Sequence, residues 1–286
     1  VAPPSGRFIV QLFLVPGFIV LVAVLLLLGA NYLFMGGYNA DYFLRGLDSE
    51  NADIRWRHAN DLAQVLKRSE TLKADARFAL DLAARLKAAQ ELLARQERET
   101  ADAVAKLTTV ADKARAWDRV NTYRNHVVFL SGLFGEFYAP IGLPLLAESL
   151  KHEDSPDTKG HVFMRRQMLL ILGTMGENIK KLERIPAPLR EKMLGDLREE
   201  AQAGDERGLW ARNALAYVDP ATDTDWSKLT RADDVLADCA AVQDQYQREQ
   251  VALVLPLWKG PRVEETLLRL SRDNGYGQVV NLETSD

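Results

Sequence analysis

Residue types that do most catalytic and metal chemistry are sparse in this chain of 286 residues, which has four histidines (His58, His126, His152, His161) and one cysteine, Cys239. No two histidines stand one helical turn apart, the spacing that sets two imidazoles on one helix face as zinc ligands. The densest set of hard ligands is the loop His152-Glu153-Asp154 with Asp157 and His161. It lacks the glycine-centred spacing of a calcium loop and reads as a polar connection between helices. Cys239, beside Asp238, Ala240 and Ala241, reads as a buried structural thiol, and a lone cysteine leaves no intrachain disulfide and no cysteine-rich zinc site. Gly173-Thr174-Met175-Gly176 follows a helical run and lacks the Gly-Lys-Ser/Thr ending of a phosphate loop, so a helix C-cap is expected there. No Gly-x-Ser-x-Gly, His-Glu-x-x-His or dinucleotide fingerprint occurs. The sequence thus offers no catalytic, cofactor-binding or metal-ligating set, and no cofactor is expected.

Charge narrows the partners. Thirty-six Lys and Arg stand against 40 Asp and Glu, with no basic stripe, which argues against a nucleic-acid backbone as ligand. Arg165-Arg166 and Lys180-Lys181 are isolated pairs, and beyond residue 131 there are 19 basic against 26 acidic residues, a net of -7.

The elements that must position these groups begin with an apolar run. No charged side chain occurs between Arg7 and Asp41, and Phe8 to Met35 is almost wholly apolar. About 20 residues at roughly 1.5 Å each cross a hydrocarbon core of about 30 Å, so the run is long enough to span. A cleaved signal peptide is the alternative. Its apolar region is typically about 7 to 15 residues and ends at small residues, whereas here Gly29-Ala30-Asn31 is followed by Tyr32, Leu33 and Phe34. An uncleaved single-span anchor over residues 1–38 is therefore the expectation. Pro16 would bend it, Gly17 and Gly29 could admit a neighbouring span, and Tyr32, Phe34, Tyr38, Tyr42 and Phe43 form an aromatic belt. Arg7 on one side and Arg45 and Arg55 on the other leave the orientation weakly biased towards a soluble part outside the cytoplasm.

The remainder reads as all-α. Between Gly46 and Gly132 there is neither glycine nor proline, and Leu82, Leu86, Ala89 and Leu93 repeat at helical spacing on one stripe. From Phe129 onward shorter segments are punctuated by Pro or Gly: Leu145 to Leu150, Val162 to Met175, Leu189 to Ala203 and Gly208 to Val218. A last helix starts at Pro261. Val279 and Val280 are the nearest approach to a strand.

Several of these segments resemble the HEAT repeat, in which an Asp-containing turn and an aliphatic-Arg pair open a helix packed inward through small residues and leucines. The closest copy is Leu47-Asp48 to Asp53-Ile54-Arg55, continuing through Ala59 and Leu62. Others are Met164-Arg165 to Gly173, preceded by Gly142 to Leu150; Gln247-Arg248 to Leu255; and Arg207 to Leu215 with its arginine displaced. The resemblance implies an α-solenoid of HEAT-like helix pairs behind a single N-terminal transmembrane helix. It divides the chain into an anchor (1–38), a first repeat (39–66), a long helical hairpin or insertion (67–130) and further repeats (131–286). It also implies a polar ladder through Asp48, Asp53, Arg55 and Arg165.

What such a protein would do follows from surface rather than from a cleft. The expected function is a non-enzymatic, membrane-anchored scaffold that binds a protein partner, with Trp56, Arg57, Asn60 and Trp226 as contact candidates. Trp210 and Trp258 lie on apolar faces and are expected in the core, whereas Trp226, in a turn-rich linker, is expected to be exposed. An accessory subunit of a membrane enzyme or transporter, its anchor packed through Gly17 and Gly29, is the alternative. A helical-repeat lyase or glycosylase would need an acid–base constellation that the sequence does not assemble.

Overall fold

The computed structural model describes residues 16–26, 40–49, 51–151, 159–219, 221–222, 224–241 and 244–272, with Ala52 and residues 159–161 described in backbone only. All regular structure in them is helical. The chain divides into two compact units, Val1–Arg55 and Trp56–Asp286.

In the first unit, α1 (16–26) is followed by α2 (Ala40–Leu47). No helix among the described residues is long and apolar enough to cross a membrane. The expected span from Phe8 to Met35 lies mostly outside the described residues. The part that is described is helical, with every side chain exposed, Phe18, Ile19, Leu21 and Leu25 among them. α3 (Ala52–Arg68) starts in this unit. Asn51 caps it by accepting the Asp53 amide at 2.9 Å, which satisfies one of the orphan N–H groups of the first turn. Arg55 Nη1 donates to the Ser49 carbonyl at 2.7 Å, folding the incoming turn against the helix.

The second unit is organised around α5 (Ala76–Val104), which follows the single turn α4 (Glu70–Lys73). Its start is set by Asp75, whose carboxylate accepts the Phe78 amide at 3.0 Å. The predicted stripe of Leu82, Leu86, Ala89 and Leu93 is buried, extended N-terminally by Phe78, Ala79 and Leu80. After a five-residue turn, Thr109 caps α6 (Val110–Phe134), accepting from the Asp112 amide at 3.1 Å. α5 and α6 pack on each other along their lengths, so the long central helices pair within one chain. Midway along the hairpin the buried Arg124 donates through Nε to Glu97 at 2.9 Å and lies over the Trp117 ring. Burial of the guanidinium is tolerated because its charge is paired there.

Shorter helices follow: α7 (Leu143–Leu150), α8 (Lys159–Lys180), α9 (Ala187–Glu200), α10 (Glu206–Val218), α11 (Ala232–Cys239), α12 (Gln245–Val254) and α13 (Arg262–Ser271). Their contacts place α6, α8 and α12 side by side and α5, α7 and α11 side by side, with α13 against α11 and α12. α8 and α12 run in the same direction, since Arg166 meets Tyr246 near their starts and Gly173 meets Val254 further on. The α9–α10 pair is laid on α5 and α7, so α8 packs directly against α12 without it.

One expectation fails. Gly173 and Gly176 are not a C-cap but lie inside α8, which runs on to Lys180. A Cβ on Gly176 would stand 2.9 Å from Leu257 Cβ and 3.0 Å from Trp258 Nε1, and one on Gly173 would stand 3.2 Å from Val254 Cγ2. Glycine here permits the close approach of a neighbouring segment rather than ending the helix. Trp258 completes this junction by donating its indole N–H to the Leu172 carbonyl at 3.2 Å.

Two contacts hold the turn between α6 and α7. The Tyr138 hydroxyl donates to Glu70, and the Tyr138 amide donates to the Lys73 carbonyl at 3.2 Å. The Tyr138 hydrogen bond, followed by Lys73, holds the Glu70 carboxyl below its ordinary 4.5 against the opposing effect of burial. A carboxyl depressed in the fold adds stability above its unfolded pKa that disappears as pH falls through the folded value. Tyr138→Phe should therefore cost about 1 kcal/mol at neutral pH, Glu70 being half exposed, and should lose less stability than the wild type on acidification below about pH 4.5 in urea titrations. In the same turn a Cβ on Gly142 would stand 2.5 Å from Phe134 Cγ. Gly142→Ala is expected to destabilise by about 1–3 kcal/mol through overpacking, read as a lower thermal midpoint.

Candidate functional site

One concave feature among the described residues of the second unit is a half-open hollow of about 130 Å³ where α7, α8, α11 and α12 converge. α7 contributes Ala147 and Leu150, followed by Lys151; α8 contributes Arg165; α11 contributes Val235, Asp238 and Cys239; α12 contributes Gln247. The register of α12 follows from its cap, Asp244, whose carboxylate faces the Gln247 amide at 3.4 Å. That sets the buried Gln247 side chain towards α11, where Nε2 donates to the Cys239 carbonyl at 3.3 Å. Arg165 is 8% exposed, one turn into the part of α8 that packs on α7 and α12.

The chemistry available to this hollow is limited. Burial, reinforced by the Asp238 charge, pushes the Cys239 thiol up to about 11, so at neutral pH it is a protonated, weakly nucleophilic group. Asp238 sits at the rim and is engaged by Arg262 Nη1 at 3.1 Å. Among the described residues no histidine lines the hollow, and Asp238 is the one carboxylate in its lining. Its described walls combine Ala147, Leu150, Val235 and Cys239 with one ammonium, one guanidinium, one carboxylate and one amide, those of Lys151, Arg165, Asp238 and Gln247.

Of the residues singled out from the sequence, Arg165 and Cys239 line this hollow. Asp48, Asp53 and Arg55 belong to the first unit, at the end of α2 and the start of α3, and Arg165 to the second. Trp56, Arg57 and Asn60 all lie exposed on α3, with Trp56 64% accessible, the largest exposed aromatic surface among the described residues of the second unit. Trp226 departs from expectation. It is half buried in a 3-10 turn (Trp226–Lys228), edge-on to Tyr217 at 5.2 Å and with the Arg231 guanidinium 5.1 Å from its ring. Tyr217 also meets Trp258 edge-on at 5.3 Å, so the linker tryptophan is recruited into an aromatic cluster because α10 ends beside it. Trp210 and Trp258 are buried, as their apolar faces predict. Gly17 lies in α1, where a Cβ would meet nothing within 4 Å; Gly29 lies outside the described residues. Of the polar loop 152–161, the side chains of His152, Glu153, Asp154, Asp157 and His161 also lie outside them. Among the described residues no group of three His, Cys, Asp or Glu side chains could hold a metal ion.

A surface feature that the sequence reading did not single out lies on α8 and α12. Phe163 and Leu170, and Tyr246 and Leu253, are two i,i+7 pairs whose side chains are exposed. Arg166 bridges the helices between them, 4.2 Å over the Tyr246 ring and 3.5 Å from Asp244. The spacing was visible in the sequence, but an apolar i,i+7 pair reads as core until the partner helices are placed.

No protein-family model matches this chain, and no curated protein sequence matches it. The functional reading therefore rests on the chain itself.

With the thiol held protonated and covered, alkylation of Cys239 by a maleimide near pH 8 is expected to be roughly 100-fold or more slower in the native protein than in denaturant. Equal rates in the two conditions would mean that the hollow opens far enough to expose the sulfur.

Proposed function

We propose that this protein is a membrane-anchored helical scaffold, with HEAT-like helix pairs of the α-solenoid type, that binds a protein partner and performs no catalysis of its own. The observation that carries the reading is Trp56, a tryptophan 64% accessible on α3, with Arg57 and Asn60 exposed beside it. Tryptophan and arginine are the residue types that most often dominate binding energy, and an indole this open to water gains by being covered.

Two further features support the reading. α1 exposes Phe18, Ile19, Val20, Leu21, Leu25 and Leu26 together, a surface that lipid or another span would cover more favourably than water. The parallel α8 and α12, each preceded by a short companion helix, are the arrangement in which helix pairs stack into a binding surface, although the α9–α10 pair departs from a strict succession. In this reading the anchor lies in residues 1–38 and the bulk of the chain faces outward from the cytoplasm. No nucleic acid is involved.

The test is purification of the full chain from its native membranes in mild detergent, with quantitative mass spectrometry of what remains bound. A companion at near-equal amount is expected, reduced at least tenfold by Trp56→Ala while the chain stays in the membrane fraction; a tenfold loss corresponds to about 1.4 kcal/mol. A solitary protein would count against the scaffold. The open surroundings of Gly17 favour one alternative, an accessory subunit whose anchor packs against other spans. Under that alternative Gly17→Leu should dissociate the companion and Trp56→Ala should not.

A further inference from the structure

α9 is held with little apolar burial for its length. It buries only Met193 and Leu197 of its 14 residues, whereas α10, of 13 residues, buries seven, including Trp210, Leu215 and Val218. Its N-cap, Pro186, makes no side-chain cap hydrogen bond, and Gly195 stands in its interior with open space where a Cβ would be. An interior glycine weakens a helix relative to alanine.

Ion pairs add to its packing on α10 and α5. Arg77 of α5 reaches Asp196 at 3.3 Å and Glu199 at 2.6 Å. Arg207 of α10 joins Glu200 at 2.7 Å and Asp81 of α5 at 2.5 Å, and Arg198 pairs with Asp219 at 2.7 Å. Arg77 and Glu199 are at least half exposed, so that pair is individually weak and open to screening, whereas Asp196, Asp219 and the Arg207–Glu200 pair are largely covered. Both flanks are firmer. Leu182 and Ile185 are buried before the helix, and Arg212 Nη1 donates to the Ala201 and Ala203 carbonyls at 2.6 and 2.8 Å after it.

From this contrast we propose that α9 is a releasable helix, clamped to α5 and α10 by ion pairs between two fixed flanks. It opens locally, without global unfolding, when ionic strength rises. Opening uncovers the stripe Leu189, Met193 and Leu197, spaced i, i+4, i+8 along the helix, and frees the α5 edge carrying Arg77 and Asp81. Local opening of this kind is drawn from segments with few buried apolar contacts, and α9 buries two of its 14 residues.

Hydrogen–deuterium exchange on the full chain in detergent micelles, at about 50 mM and about 500 mM NaCl, tests it, the Debye length falling from roughly 14 Å to roughly 4 Å between the two. Amides of α9 are expected to exchange at least tenfold faster than those of α5 and α10, and about threefold faster again at high salt, with α5 and α10 unchanged. Arg77→Ala should reproduce the salt effect at low salt, and Gly195→Ala should slow α9 by roughly fourfold. Exchange of α9 at the rate of α5 and α10 overturns the proposal. Fast exchange that responds to neither salt nor Arg77→Ala overturns the clamp.

Discussion

The buried face of α5 is the surface against which the second unit is built. Phe78, Ala79, Leu80, Leu82, Ala83, Leu86, Ala89 and Leu93 are almost fully withdrawn from water, and α6, α7, α9 and α10 all contact α5. At roughly 1.5–3 kcal/mol for each large apolar side chain covered, this stripe is the main source of cohesion available to helices as short as α7. An eight-residue helix is not stable alone, and α7 exists because Leu143, Leu145, Leu146 and Leu150 are enclosed by neighbours already in place.

Apolar burial does not choose a register, and buried polar contacts do so here. Gln90 of α5 donates to both the Leu145 carbonyl at 2.8 Å and the Ser149 hydroxyl at 2.7 Å, fixing α7 along α5. Asn178 near the end of α8 donates to the Gly135 carbonyl at 2.6 Å and so positions α8 against the end of α6. Asp233, almost fully buried, accepts from Arg231 Nε and from the Arg262 amide, which sets the start of α13. Each pairs a buried group that would be costly to leave unsatisfied, so a slip of one residue is penalised.

Much of the helical layout was legible in the sequence for a physical reason: the absence of Gly and Pro between residues 47 and 131 and the spacing of Leu82, Leu86, Ala89 and Leu93 are local signals. What was not legible depended on contacts distant in the chain. Gly173 and Gly176 look like punctuation until Leu257 and Trp258, about 80 residues on, occupy the space beside them. Trp226 looks exposed in its polar linker until Tyr217 and Arg231 close on it. Ala59 and Leu62 could be placed inward from the apolar pattern of the first repeat-like segment, and α3 buries both, with Trp56, Arg57 and Asn60 on its exposed side. The exposed faces of α8 and α12 could not be placed, because both sides of those helices are rich in apolar residues.

The notch at Gly173 and Gly176 also ties two distant parts of the chain into one mechanical piece. With side-chain atoms of Val254, Leu257 and Trp258 seated where ordinary residues would carry a Cβ, and the Trp258 indole bonded to the Leu172 carbonyl, no slack remains between the second half of α8 and the segment after α12. The two can translate only together. Because Asn178 grips the end of α6 from the same part of α8, a push on the C-terminal end of the fold would be borne by the central hairpin rather than absorbed locally.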